Sequence, residues 1–146
     1  MPQNPPEGFP RICPYLFYDD LKAALVWLEK AFGLETIFSL PDPQGTIMHA
    51  EMKLHEGIIM MGPTSDEQNC HSPAKLGGIH QSLYIYVDDV DAHYAQAKIK
   101  GARILCEPAD QFWGDRMYAA QDLEGQQWTF AQHVKDIAPE DMKPGF

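Results

Sequence analysis

Basic residues are scarce in this chain: 11 Lys and Arg stand against 21 Asp and Glu among 146 residues, a formal net charge of −10 at pH 7. Nucleic-acid phosphates require a basic face, so no nucleic-acid partner is expected. An acidic surface suits a cationic ligand, although solubility alone also accounts for it. Cysteine is sparse too. Cys13, Cys70 and Cys106 form an odd set without CxxC spacing, which argues against a disulfide framework and suits a reducing compartment. No apolar run approaches the roughly 18 residues of a membrane span, so no membrane partner is expected. The opening MPQNPPEGFP has neither the cationic nor the apolar part of a signal peptide, and the expected location is the cytoplasm. Phosphate-binding glycine loops, Rossmann fingerprints and GxSxG elbows are all missing.

What is present is a duplication. YLFYDDLKAALVWLEKAFG (Tyr15 to Gly33) returns as YIYVDDVDAHYAQAKIKG (Tyr84 to Gly101), and GTIMHAEMKLHEG (Gly45 to Gly57) as GDRMYAAQDLEG (Gly114 to Gly125). Asp20 and Asp89, Gly45 and Gly114, and Met48 and Met117 are each 69 apart, slipping to 68 at Gly33/Gly101 and Gly57/Gly125. A repeat this long, present twice, reads as a duplicated supersecondary module rather than a solenoid. At 146 residues and 45% hydrophobic content, one domain spanning 1–146 is expected, with module one at about 11–64 and module two at about 75–134. The Pro-rich first ten residues and the tail IAPEDMKPGF read as arms outside the repeats.

In module one, Ile12 to Tyr18 reads as a strand, and Asp19 or Asp20 as the cap of the helix that follows. Leu21, Ala24, Leu25, Leu28 and Phe32 recur at helical spacing up to a stop at Gly33. LETIFSL, TIMHAEMKL and IIMMG read as three further strands, giving β-α-β-β-β. Module two repeats the order with QSLYIYV, the helix Val90 to Lys100, ARILCEP, RMYAAQD and QWTFAQHV. The fold class is therefore α+β: two tandem βαβββ modules forming cupped mixed sheets with helices on the outer face.

The first strand of module two separates its faces plainly. Leu83, Ile85 and Val87 are aliphatic and belong under the helix, while Ser82, Tyr84 and Tyr86 occupy the opposite face. That second face suits either a ligand cleft or packing on a partner sheet. The 69-residue offset puts Cys13, Tyr15 and Phe17 on the equivalent face of module one. Either Met48/Ala50 or Ile47/His49 lines that face from the third strand. Arg116 reads as an anion-binding group or as a surface partner of Asp115 or Asp122. The histidines match no zinc spacing. His49, His55, His71 and His80 read as loop or strand-edge residues, and His93 as a helix-surface residue.

FYDDLKAALVWLEKAFG, YVDDVDAHYAQAKIKGA and WGDRMYAAQDLEGQQWTF together resemble the vicinal oxygen chelate superfamily, which includes glyoxalase I, extradiol dioxygenases and the fosfomycin and bleomycin resistance proteins. The likeness runs from about Arg11 to Val134. The family's usual Asp-Pro-Asp-Gly turn is DLEG here, at Asp122 to Gly125. Metal-dependent members carry His or Glu at four symmetry-related strand positions, which the resemblance places at Cys13, Met61, Ser82 and Thr129. None of these is His, Asp or Glu, and a thiol, a thioether and two hydroxyls do not offset the lost hydration of a divalent ion. A one-residue shift at the fourth strand would offer Met60 and Trp128 instead, which changes nothing. No metal and no cofactor are expected.

The resemblance implies an aromatic, weakly polar cup, with Tyr15, Phe17, Met61, Ser82, Tyr84, Tyr86, Trp113 and Thr129 as the ligand-binding residues. Such a wall takes planar or cationic organic molecules. The expected function is that of a glyoxalase/bleomycin resistance family protein lacking the usual metal site and binding a small aromatic or cationic molecule. A superfamily lyase, isomerase or dioxygenase of unknown substrate, and a non-catalytic interaction domain, stand as alternatives. A homodimer is expected, because the open side and edges of a cupped sheet need cover.

Overall fold

The computed structural model describes residues 1–144. The chain divides into two compact units, Met1–Gly77 and a second from Gly78 onward. The first unit runs β1 (Tyr15–Tyr18), α1 (Leu21–Phe32), β2 (Glu35–Pro41), β3 (Ile47–Leu54), β4 (Gly57–Pro63) and a short α2 (Pro73–Leu76). The second runs β5 (Leu83–Tyr86), α3 (Val90–Ile99), β6 (Arg103–Asp110), β7 (Asp115–Gln121) and β8 (Gln127–His133), then a single 3-10 turn at Pro139–Asp141. The fold is α+β, built from two βαβββ modules. Of the expected C-terminal arm, positions 145 and 146 lie outside the described residues.

Each unit carries one four-stranded mixed sheet, ordered β1-β4-β3-β2 in the first and β5-β8-β7-β6 in the second. The outer strands β1 and β5 pair parallel with β4 and β8, and the remaining neighbours are antiparallel. Parallel pairing needs a crossover. Leu21, Ala24, Leu25, Leu28 and Phe32 form the buried stripe of α1, which lies against β1, β2 and β4. Asp20 rather than Asp19 caps this helix, its carboxylate accepting from the Ala23 amide at 3.0 Å and satisfying one free donor of the first turn. Asp19 instead accepts from the Thr64 hydroxyl at 2.6 Å.

In the second unit α3 packs against β6, β7 and β8, with Asp89 capping it through the Ala92 amide. The core beneath is aromatic: Tyr118, Trp128 and Phe130 are fully buried, and the Trp128 and Phe130 rings lie almost parallel, with centroids 6.2 Å apart. His93 corrects the expectation of a helix-surface residue. It is half-buried, its ring centroid is 4.1 Å from that of Phe130, and its Nδ1 lies 2.6 Å from the Tyr118 hydroxyl. The DLEG turn is organised by Asp122, which accepts from the Glu124 and Gln126 amides and from Trp128 Nε1.

Gly114 sets up the turn into β7. It sits at φ +100°, and a Cβ there would come within 1.9 Å of the Lys135 carbonyl oxygen. Its own carbonyl accepts from the Val134 and Lys135 amides. Only glycine combines that dihedral with so close a backbone approach, and the turn presents Trp113 and Asp115 on either side of it.

Candidate functional site

Strand register decides which side chains share the helix-free face of each sheet. In the first unit Tyr15 pairs with Met60 and Leu16 with Met61, while Glu51 pairs with Met60 and Ala50 with Met61. Paired residues point the same way. Tyr15, Phe17, His49, Glu51 and Met60 therefore share the open face, and Leu16, Ala50, Met52 and Met61 lie toward α1. Met61 is 0% exposed. The expectation that Met61 lines the open face is corrected: the residue there is Met60, and His49 rather than Met48 or Ala50 lines the face from β3.

In the second unit Tyr84 pairs with Thr129 and Tyr86 with Ala131, so Thr129 does share the face of the tyrosines. Ser82 precedes β5 and Cys13 precedes β1, so neither is a strand position. Cys13 turns its Sγ to the Pro10 carbonyl at 3.5 Å. The repeat offset also resolves. Met60 and Thr129 are 69 apart, yet their neighbours Glu51 and Ala119 are 68 apart. Module two thus spends one extra residue in its last turn, and Met48 corresponds to Arg116 rather than to Met117. Arg116 leaves the open face altogether, donating to Asp91 of α3 at 3.0 Å and to Asp110 at 3.3 Å.

The open face of the second unit is organised around Asp115, which is 1% exposed. One carboxylate oxygen accepts from the hydroxyls of Tyr84 at 2.8 Å and Tyr86 at 2.9 Å and from Trp113 Nε1 at 3.1 Å. The other lies 2.8 Å from His133 Nδ1, whose Nε2 is 2.7 Å from Asp136. Burial on its own raises the Asp115 pKa, but hydrogen bonds from His133, Tyr84, Tyr86 and Trp113 outweigh it and hold the carboxyl below its ordinary value. Burial and the Asp115 bond push Tyr84 up to about 12. The ring partners are then fixed by their hydroxyls while their faces stay open: Tyr84 is 45% and Tyr86 57% exposed, with ring centroids 5.6 Å apart in a T-shaped pair. Phe112 stands edge-on to Trp113 at 4.9 Å.

The first unit builds a different centre. His49 lies with Nδ1 3.0 Å from the Tyr15 hydroxyl and Nε2 3.0 Å from Glu51 Oε2. The Tyr15 ring is tilted against those of Phe17 and His49 at 5.3 and 5.6 Å, and Phe38 flanks His49 at 6.1 Å. Burial raises the Tyr15 pKa, and Cys70 and Glu51 raise it further. Sequence reasoning held His49 as one of two alternatives for the third strand and missed Glu51 and Asp115 as members of these faces. The alternation His49–Ala50–Glu51 carried the signal for Glu51, once the face of β3 was known. Among the described residues, no three His, Cys, Asp or Glu side chains are grouped so that they could hold a metal ion, and no helix is long and apolar enough to cross a membrane.

Two βαβββ modules, each with a helix-backed mixed sheet and an open aromatic face, define a family. The model described as Glyoxalase/Bleomycin resistance protein/Dioxygenase superfamily matches residues 8–130, and the chain belongs to that superfamily. The chain is 31% identical to TioX from Micromonospora sp. ML1, whose crystal structure matches at a TM-score of 0.70 over 86% of this chain and 99% of that one. An uncharacterized protein of Mycobacterium bovis, Mb0911c, is 28% identical over 137 residues, covering 92% of this chain and 90% of its own. The fosfomycin resistance protein FosX of Listeria monocytogenes shares the fold at a TM-score of 0.61 and 14% identity, over 92% and 97% of the two chains.

Proposed function

We propose that this protein binds a small planar aromatic or cationic organic molecule, without a metal ion, on the open aromatic face of its second unit. The observation that carries the reading is the Tyr84–Tyr86 pair. Two half-exposed rings are held by one buried carboxylate, so they are in place before a ligand arrives and little side-chain entropy is lost on binding. Their faces carry the negative side of the ring quadrupole, and the anionic Asp115 behind them adds to it. A cation stacked on such a wall gains about 0.5–2 kcal/mol per ring. The net charge of −10 works in the same direction.

The four positions that the resemblance assigns to metal ligands are Cys13, Met61, Ser82 and Thr129, and exchanging Met61 for its open-face neighbour Met60 leaves the same thiol, thioether and two hydroxyls, a donor set that does not fit a divalent ion. In this reading the chain acts as one domain in the cytoplasm and as a homodimer, with neither nucleic acid nor membrane as partner.

Calorimetric titration with the planar cation proflavine, beside a neutral and an anionic planar dye, tests the reading. The cation should bind best, chelator should change nothing, and Tyr84→Ala or Trp113→Ala should weaken binding by about 1–3 kcal/mol. Failure of all three dyes to bind, or one metal per chain by elemental analysis, would sink the proposal. Light scattering tests the dimer: a mass near 16.5 kDa means a monomer.

A further inference from the structure

We propose that Tyr15, His49 and Glu51 form a base-assisted nucleophilic site, one that accepts an acyl or sulfonyl group from a neutral, largely apolar molecule. The geometry is that of a carboxylate, an imidazole and a hydroxyl in series. His49 and Glu51 are two residues apart on β3 and so share a face. Glu51 only accepts, so its 3.0 Å contact assigns the proton to His49 Nε2. Nδ1 then keeps its lone pair and accepts the Tyr15 hydroxyl proton, also at 3.0 Å. The carboxylate fixes the tautomer and stabilises the imidazolium that forms when the proton moves.

The surroundings fit this use better than a purely structural one. Tyr15 is 38% exposed, so its side chain is not sealed in the core. Gly62 lies beneath the ring, and a Cβ there would come within 2.7 Å of the Tyr15 hydroxyl oxygen. The chain thus leaves room for the phenol to reach His49. Phe17 beside Tyr15 and Phe38 beside His49 supply apolar surface around the pair, and the Glu51 charge disfavours anionic substrates. In the step itself the Tyr15 oxygen forms a bond to the electrophilic carbon or sulfur, and the bond from that atom to its leaving group breaks. The leaving group departs with the electron pair, and the phenolic proton passes to His49 Nδ1.

Phenylmethanesulfonyl fluoride is a suitable probe, because attack on sulfur expels fluoride and leaves a stable aryl sulfonate. The full chain is treated with the probe, and peptide mass mapping follows adducts on Tyr15 and, within the same molecule, on Tyr84. Tyr84 is the internal control, since its partner Asp115 is a weak base. Tyr15 should react first. His49→Gln should slow Tyr15 on the order of a hundredfold while leaving Tyr84 unchanged. Glu51→Gln, which keeps an acceptor for Nε2 but removes the charge, should slow it severalfold, and Gly62→Ala should slow it by displacing the ring. Should His49→Gln unfold, seen as fast labelling at every tyrosine, Glu51→Gln and Gly62→Ala decide the question. Labelling of Tyr15 no faster than Tyr84, or at the wild-type rate in the folded variants, overturns the proposal.

Discussion

Asp115 and His133 face each other across the β7–β8 ladder, with carboxylate and imidazole 2.8 Å apart and the far ring nitrogen on Asp136 at 2.7 Å. Both ring nitrogens meet carboxylates, first Asp136 and then Asp115, which raises the His133 pKa above its ordinary 6.5. A raised folded value means that the folded state holds the proton more tightly. The stabilisation is then fully present below 6.5 and is lost as pH rises through the folded value. Asp115 has the opposite sign: its pKa lies below the ordinary 3.8, so its contribution is lost as pH falls through that lowered value. The difference in melting temperature between wild type and His133→Gln should therefore be greatest between about pH 4 and 6.5 and shrink on the alkaline side. A difference that grows with pH would show that His133 is neutral in the folded protein.

Replacing Asp115 should cost far more than a surface change. The carboxylate is buried and serves four donors, and Asp115→Ala strands the hydroxyls of Tyr84 and Tyr86, Trp113 Nε1 and the His133 ring together. We expect a loss of about 3 kcal/mol by urea unfolding. A loss under about 1 kcal/mol would mean that water satisfies those donors and that the tyrosine pair is not held in place.

Tyr84 should ionise late. Ultraviolet titration should find one phenol near pH 12, absent from Tyr84→Phe. In Asp115→Asn that phenol should move down only part of the way toward 10, because burial is the larger cause and the carboxylate the second. Complete return to 10 would assign the whole shift to Asp115.

Gly114→Ala should destabilise by at least about 2 kcal/mol, combining a disfavoured positive φ with a clash against backbone. It should also loosen Trp113, which fluorescence anisotropy reports. A wild-type melting temperature in this variant would show that the segment around Lys135 can move aside freely.

The duplicated pattern in the chain, read locally, was sufficient for the βαβββ order, the helix stripes, the Gly33 stop and the split of Tyr84 and Tyr86 from Leu83 and Ile85. Those features depend on side-chain period and capping chemistry, which act over a few residues. The face of β3, the replacement of Met61 by Met60 on the open side, and the change of offset between Met60/Thr129 and Glu51/Ala119 required the tertiary structure. A one-residue difference in a turn reverses every side chain of a strand while leaving its composition unchanged. The two polar centres were decided in the same way. Asp115 meets Tyr84 from 31 residues away, and His49 meets Tyr15 from 34. No local period encodes a contact over that distance, which exists only once the strand register has closed each sheet.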